Sequence, residues 1–281
     1  TALVVQSQTQ HKIVAAMVAD NTEPALSNEK AIFALEQRGF PEIPSRWEVV
    51  SLPLPERTAR NLQHTLARQS YRHFLSQPLT RKALSEWLSV LEARFLEDAP
   101  VRKRRYGSAG GLYPVRTFLH LKEGAVEGLA AGSYVYDPRE HRLAAINQRV
   151  VDDTVFGYDN REMADEATLA LFLVAHLPAI EPIYTDWSRD ACLMEAGAMA
   201  QLLSEQGPAF DIGSCLVGGA DATQVSHALE FDEGRDNELL LTLLAGPVAP
   251  TQTQCWQHPF TQVPNPSYRE WLVGRLPDYM V

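Results

Sequence analysis

The run TLALFLVAH at residues 168–176 is apolar at odd and even positions alike. A strand of that kind needs cover on both faces, so it belongs at the centre of a sheet with other elements packed above and below it. ELLLTLLAG at residues 238–246 reads as a further buried strand. A chain of 281 residues is long enough to bury such a core in one large unit or in two smaller ones. Hydrophobic residues make up 45% and charged residues 21%, the balance of a folded, soluble chain. No apolar run approaches the roughly 20 residues that span a bilayer.

Other elements follow from local pattern. ALVV and KIVAAMV, separated by polar residues, suggest a pair of strands near the start. Residues 56–73 carry a helical, arginine-rich pattern. Pro78 and Thr80 open a second helix whose Leu84, Trp87, Leu88, Leu91 and Phe95 fall on one face. VRTFLHL at residues 115–121 has strand alternation, and GSYVYDPREHRLAAI reads as strand, turn and strand, with Asp137 and Pro138 starting the turn. ACLMEAGAMAQLLSEQ forms a helix with small residues at Ala196, Gly197 and Ala200, ended by Gly207 and Pro208. Asp221 caps another helix. Ser267 and Glu270 have capping-box spacing and start a last helix with no obvious tie to the sheet. The terminal pieces, residues 1–22 and 264–281, are therefore assigned to a different domain from residues 23–263.

Composition narrows the function. A formal charge of −10 argues against a general nucleic-acid surface, which leaves the RKRR run at residues 102–105 as a local feature. Cys192, Cys215 and Cys255 are too few and scattered for a disulfide framework, and neither they nor the eight histidines have metal-ligand spacing. No catalytic metal is expected. The first residues lack a basic region followed by a long apolar stretch, so they do not read as a secretory signal, and a reducing cytoplasm is the simplest setting.

Three stretches can carry chemistry. In RQSYR, Arg68, Ser70 and Arg72 offer two guanidiniums and a hydroxyl within about one and a half helical turns, enough to grip a phosphate; the same residues would also serve as a solvated helix end. In YGSAGGLYP, the glycines let backbone amides approach a flat polar ligand, or simply form a turn before a strand. A Walker loop is excluded, because no GK[ST] follows. In SCLVGGAD, Gly218 and Gly219 precede a helix N-terminus, where amides can again face a ligand.

Taken in order, RQSYR, SAGGLYP, GSYVYDPREHRL, LMEAGAMAQLL and LVGGAD resemble the FMN-dependent nitroreductase superfamily over residues 56–247. Within it they look most like the azoline-oxidising branch of ribosomal and nonribosomal peptide assembly. The resemblance implies an α+β, three-layer fold with a central, mainly antiparallel sheet flanked by helices, and a domain-swapped type of homodimer with flavin at the two-fold interface. It implies that Arg68, Ser70 and Arg72 hold the FMN phosphate and ribityl end, with Gln69 near the pyrimidine. Ser108, Ala109, Gly110 and Leu112 would lie along the isoalloxazine, and Val217, Gly218 and Gly219 would pass its other side. ALVVQSQTQHKIVAAMV and YREWLVGRLPDYMV resemble parts of an adenylation domain, so the terminal pieces look like stubs of a host synthetase.

The implied reaction is oxidation of a carrier-protein-tethered thiazoline or oxazoline, with molecular oxygen as final acceptor. Where ribosomal-peptide oxidases have a lysine-tyrosine pair, this chain has Ile183 and Tyr184. Tyr184 is the candidate general base, with Glu181 and Asp186 as nearby alternatives; a tyrosine packed beside Trp187 is the plainer reading of it. Two other functions fit the same motifs: dehydrogenation of a carrier-bound amino acid, as in indigoidine-type synthetases acting on glutamine, and a non-catalytic dimerisation or docking module.

Overall fold

The computed structural model describes residues 43–54, 59–97, 101–157, 160–234 and 236–254. Contacts divide the chain into Gln63–Trp256 and a second unit formed by Thr1–Leu62 with Gln257–Val281. The unit Gln63–Trp256 holds the sheet. The expected strand pair at residues 2–18, the helix after Ser267, Cys255 and both terminal stubs lie outside the described residues.

Six strands form one sheet in the order β3-β2-β1-β4-β6-β5: β1 Val115–Leu121, β2 Gly132–Asp137, β3 Arg142–Asn147, β4 Leu169–His176, β5 Ile212–Val217 and β6 Asn237–Pro247. Every pairing is antiparallel. β4 lies between β1 and β6 and is buried at every position but its last, as its two-sided apolar sequence requires. Its alternate residues serve two cores. Leu169, Leu171, Leu173 and Ala175 join one with Leu119, Leu121 and Leu243; Ala170, Phe172 and Val174 join the other with Phe118, Val217 and Leu244.

Helices supply the outer layers. α1 (Ala59–Ala67) leads into the arginine segment, and α2 (Arg81–Leu88) begins at Thr80, whose hydroxyl accepts the Ala83 N–H. α3 (Arg161–Glu166) is short, α4 (Ser188–Gln206) is long, and α5 (Ala222–Leu229) follows Asp221, whose side chain accepts the Gln224 N–H. α2 and α4 cover the first core, where the fully buried Trp87 donates its indole N–H to the Leu203 carbonyl at 2.8 Å. α3, α5, Tyr71 and Phe74 cover the second. The result is the expected three-layer α+β arrangement.

One local expectation needs correction. Phe95 is 70% exposed rather than on the buried face of α2. The helix has already ended, because the chain turns into extended backbone at Glu92, and Arg94 pairs with Lys103. On α4, Ala196 and Ala200 are buried and Gly197 is exposed.

Candidate functional site

The first half of the site runs along the outer edge of β5. α1 stops at Ala67, so RQSYR is non-helical, with a bend at Gln69, where a helix was expected. The reason is tertiary: the Tyr71 N–H donates to the Ser214 carbonyl at 3.1 Å, and the Leu75 N–H to that of Pro247 at 2.8 Å. Arg68, Ser70 and Arg72 are all exposed, while Gln69 and Tyr71 are buried. Two cations and a hydroxyl thus share one solvent-facing row, a suitable grip for a phosphate. Gln69 is 4% exposed and donates its amide to the Gln252 carbonyl at 2.7 Å, so it supports the row from beneath rather than joining it.

β5 links this row to the second glycine stretch. Ser70 and Arg72 lie close enough to Cys215 to act on its thiol, which burial nevertheless pushes up. Three residues after Ser214 comes Val217, about 10 Å further along the strand. Gly218 and Gly219 then stand exposed before α5. A Cβ on Gly218 would meet nothing within 4 Å, so its backbone is open to a ligand.

The second half lies elsewhere on the sheet. The loop at residues 108–114 enters β1, and the Tyr113 N–H closes it by donating to Ser108 Oγ at 2.9 Å. Gly110 adopts φ +60°, and a Cβ there would stand 3.2 Å from Tyr184 Oη. The candidate base and the candidate ring-binding loop are therefore in contact. Leu112 and Ala109 pack with Tyr184 against the first core. Glu181 and Asp186, the alternative bases, are exposed, as are Ile183 and Trp187. His176, at the end of β4, places its Nδ1 3.1 Å from Asn237 Oδ1.

Sheet register separates the two halves. Val115 aligns with Ala175 and Ala175 with Glu238, whereas Ser214 aligns with Ala245. From Val115, where the loop enters β1, to the arginine row is thus four strand spacings across and seven residues along, about 30 Å. Val217 aligns with Thr242, which leaves Gly218 about 20 Å from Val115. Within one protomer the arginine row and the second glycine stretch thus lie well away along the sheet from the start of β1, which the first glycine stretch enters.

Glu195 is a residue the motif reading passed over. It lies on the inner face of α4 among Ala191, Cys192, Ala196 and Met199, and its Oε1 accepts the Val115 N–H at 3.2 Å. Burial pushes its carboxyl from 4.5 up to about 7, against the opposing pull of Ser108, the Val115 N–H and Arg104. The available signal was an acid within the helix's apolar phase. Because the folded acid holds its proton more tightly than the unfolded one, its contribution to stability is greatest below pH 4.5, declines as pH rises and levels off above 7. In urea denaturation, wild type is expected to lose about 3 kcal/mol relative to Glu195→Gln between pH 4.5 and 8. A constant difference across that range would contradict the assignment.

Among the described residues, no group of three or more His, Cys, Asp or Glu could hold a metal ion, and no helix is long and apolar enough to cross a membrane. The Nitroreductase family model matches residues 65–246. The indigoidine synthase of Dickeya dadantii is 26% identical over 248 residues, and that of Streptomyces lavendulae 28% over 116. These alignments cover 79% and 41% of this chain but only 16% and 8% of the relatives, so the chain spans a small part of either protein. Among solved structures, the Escherichia coli microcin synthetase McbBCD complex has a chain with a TM-score of 0.60 at 18% identity, covering 83% of this chain and 86% of that one. A Ralstonia eutropha protein described as a candidate nitroreductase gives 0.53 at 24%, covering 74% and 93%. At these identities the structural likeness concerns the fold.

Proposed function

The chain belongs to the nitroreductase family of FMN-dependent oxidoreductases, and from that membership we propose that it is an oxidase module of a nonribosomal peptide synthetase, acting on a carrier-tethered thioester. The observation that carries this reading is the division of the predicted contacts into two complementary halves. One offers a cationic row followed about 10 Å later by open glycine backbone. The other offers a glycine loop touching a tyrosine hydroxyl.

Residues fit FMN in this arrangement. Arg68, Ser70 and Arg72 would hold the phosphate, and Val217, Gly218 and Gly219 would lie along the ring from the same protomer. Ser108, Ala109, Gly110 and Leu112 would close on the ring from a second copy. A homodimer therefore completes each site. Trp187 and Met194, 61% and 69% exposed on and beside α4 near Gly197, provide apolar surface for such a pairing. When bound, FMN supplies the two-electron acceptor, with molecular oxygen as the final oxidant. As a phenolate, Tyr184 Oη beside Gly110 would take the substrate proton, and the loop amides would orient the ring and exclude water.

Two substrates suit this chemistry. An azoline would become a thiazole or oxazole; an aminoacyl thioester would become its dehydro form. Ile183, exposed where azoline oxidases of ribosomal peptides have lysine, favours the aminoacyl substrate, and so does similarity to two indigoidine synthases. The host adenylation domain and its carrier protein are the proposed partners, in the cytoplasm.

Purified protein is expected to be yellow, and only one of the two thioester classes should lose 2 Da on incubation. Arg68→Ala and Arg72→Ala should each weaken FMN binding about tenfold or more, as loss of a charge-assisted bond implies. Tyr184→Phe should keep the colour and lose turnover by about 100-fold or more. Normal turnover in Tyr184→Phe would remove the tyrosine from the mechanism, and colourless protein that takes up no FMN would remove the flavin.

A further inference from the structure

The glycine loop rests on a buried acid with one oxygen unused. Glu195 is 2% exposed; its Oε1 accepts the Val115 N–H, while its Oε2 is buried without a hydrogen-bond partner. Such an atom in a folded protein calls for an explanation. The Ser108 hydroxyl lies near enough to draw the Glu195 carboxyl toward ionisation, and its Oγ already accepts the Tyr113 N–H. Glu195 therefore stands at the exit of the loop through Val115 and next to its entry through Ser108.

A serine oxygen can accept two hydrogen bonds and donate one. We propose that Glu195 is a positioning residue that sets the direction of the Ser108 hydroxyl: the neutral acid donates to Ser108 Oγ and leaves the serine hydrogen for the ring ligand, whereas the ionised acid claims that hydrogen. The inference rests on the flavin reading of the loop and adds a residue and a proton to it. Three groups face the carboxyl. Arg104 favours its charge. Tyr106 and Cys192, pushed up to about 12 and about 11 mainly by burial, stay neutral near pH 7. Glu238 also acts on Cys192. Ionisation thus has Arg104 for it and burial against it, a balance that falls close to neutrality.

The test is FMN affinity, read from flavin fluorescence on FMN-free protein between pH 5.5 and 8.5. Ratios between variants at each pH cancel the titration of the ligand phosphate. In Glu195→Gln the carboxamide donates permanently to Ser108 while its oxygen still accepts the Val115 N–H. Wild type and Glu195→Gln should bind alike at pH 5.5, and wild type should fall about tenfold behind by pH 8.5, the worth of one hydrogen bond to the ligand. Ser108→Ala should bind weakly, with no pH-dependent change relative to Glu195→Gln. A wild-type to Glu195→Gln ratio that does not move with pH overturns the proposal. Carboxyl titration by 13C NMR in FMN-free protein is the second measurement. Ser108→Ala should raise the Glu195 pKa, and an unchanged value overturns the link between the two side chains. Should wild type bind no FMN at any pH, the flavin reading fails and takes the ligand half of the proposal with it, while the NMR result still decides the Glu195–Ser108 half.

Discussion

Gly213→Ala is expected to cost about 3 kcal/mol of stability and to abolish tight FMN binding in the same protein. A Cβ at this position would stand 2.5 Å from Tyr71 Cγ and from Val248 Cγ1, and 2.7 Å from Tyr71 Cβ. Carbon atoms do not approach that closely, and the tyrosine cannot yield by a simple rotation, because its own Cβ is part of the clash. Tyr71 is also fixed at both ends: its N–H donates to Ser214, and its hydroxyl to the Ala67 carbonyl at 2.8 Å. Moving it moves Ser70 and Arg72 on either side, and with them the phosphate grip. Loss of the charge-assisted bonds from that row corresponds to about 100-fold in affinity. Urea denaturation and flavin titration measure the two effects separately. A destabilised variant that still bound FMN tightly would show that the arginine row does not hold the ligand.

That glycine marks where reading the sequence succeeds and where it stops. β4, β6 and α4 were visible because long apolar runs and helical phase are local properties, as was the Asp221 cap. The arginine segment was misread as helix because its non-helical form depends on carbonyls of Ser214 and Pro247, residues far away in the chain. Motif order singled out the glycine stretches, yet nothing in their spacing could show that the second lies about 20 Å from Val115, where the first enters the sheet; that follows from the alignment of Val115, Ala175 and Glu238 across the strands. Glu195 escaped notice for a related reason. An acid within LMEAGAMA reads as one more polar helix position until β1 places a backbone N–H against it.

Separation of the half-sites leads to the largest effect, a recovery from nothing. The double variant Arg68→Ala/Arg72→Ala keeps its glycine loop but has no phosphate grip. Gly110→Val keeps the grip but loses the loop, since a side chain there is strained at φ +60° and meets Tyr184 Oη. Each variant alone should form homodimers that bind no FMN. Co-expressed with different tags and purified through both, they form mixed dimers in which one site combines the intact grip of one chain with the intact loop of the other, and the second site combines both defects. The mixed dimer should therefore carry one flavin per pair of chains, half the wild-type content. If both halves of a site came from a single protomer, the same mixed dimer would contain one gripless and one loopless site and would stay colourless. Flavin absorbance per mole of purified mixed dimer distinguishes the two arrangements without any substrate, because it reads directly which chain supplies which wall of the ring.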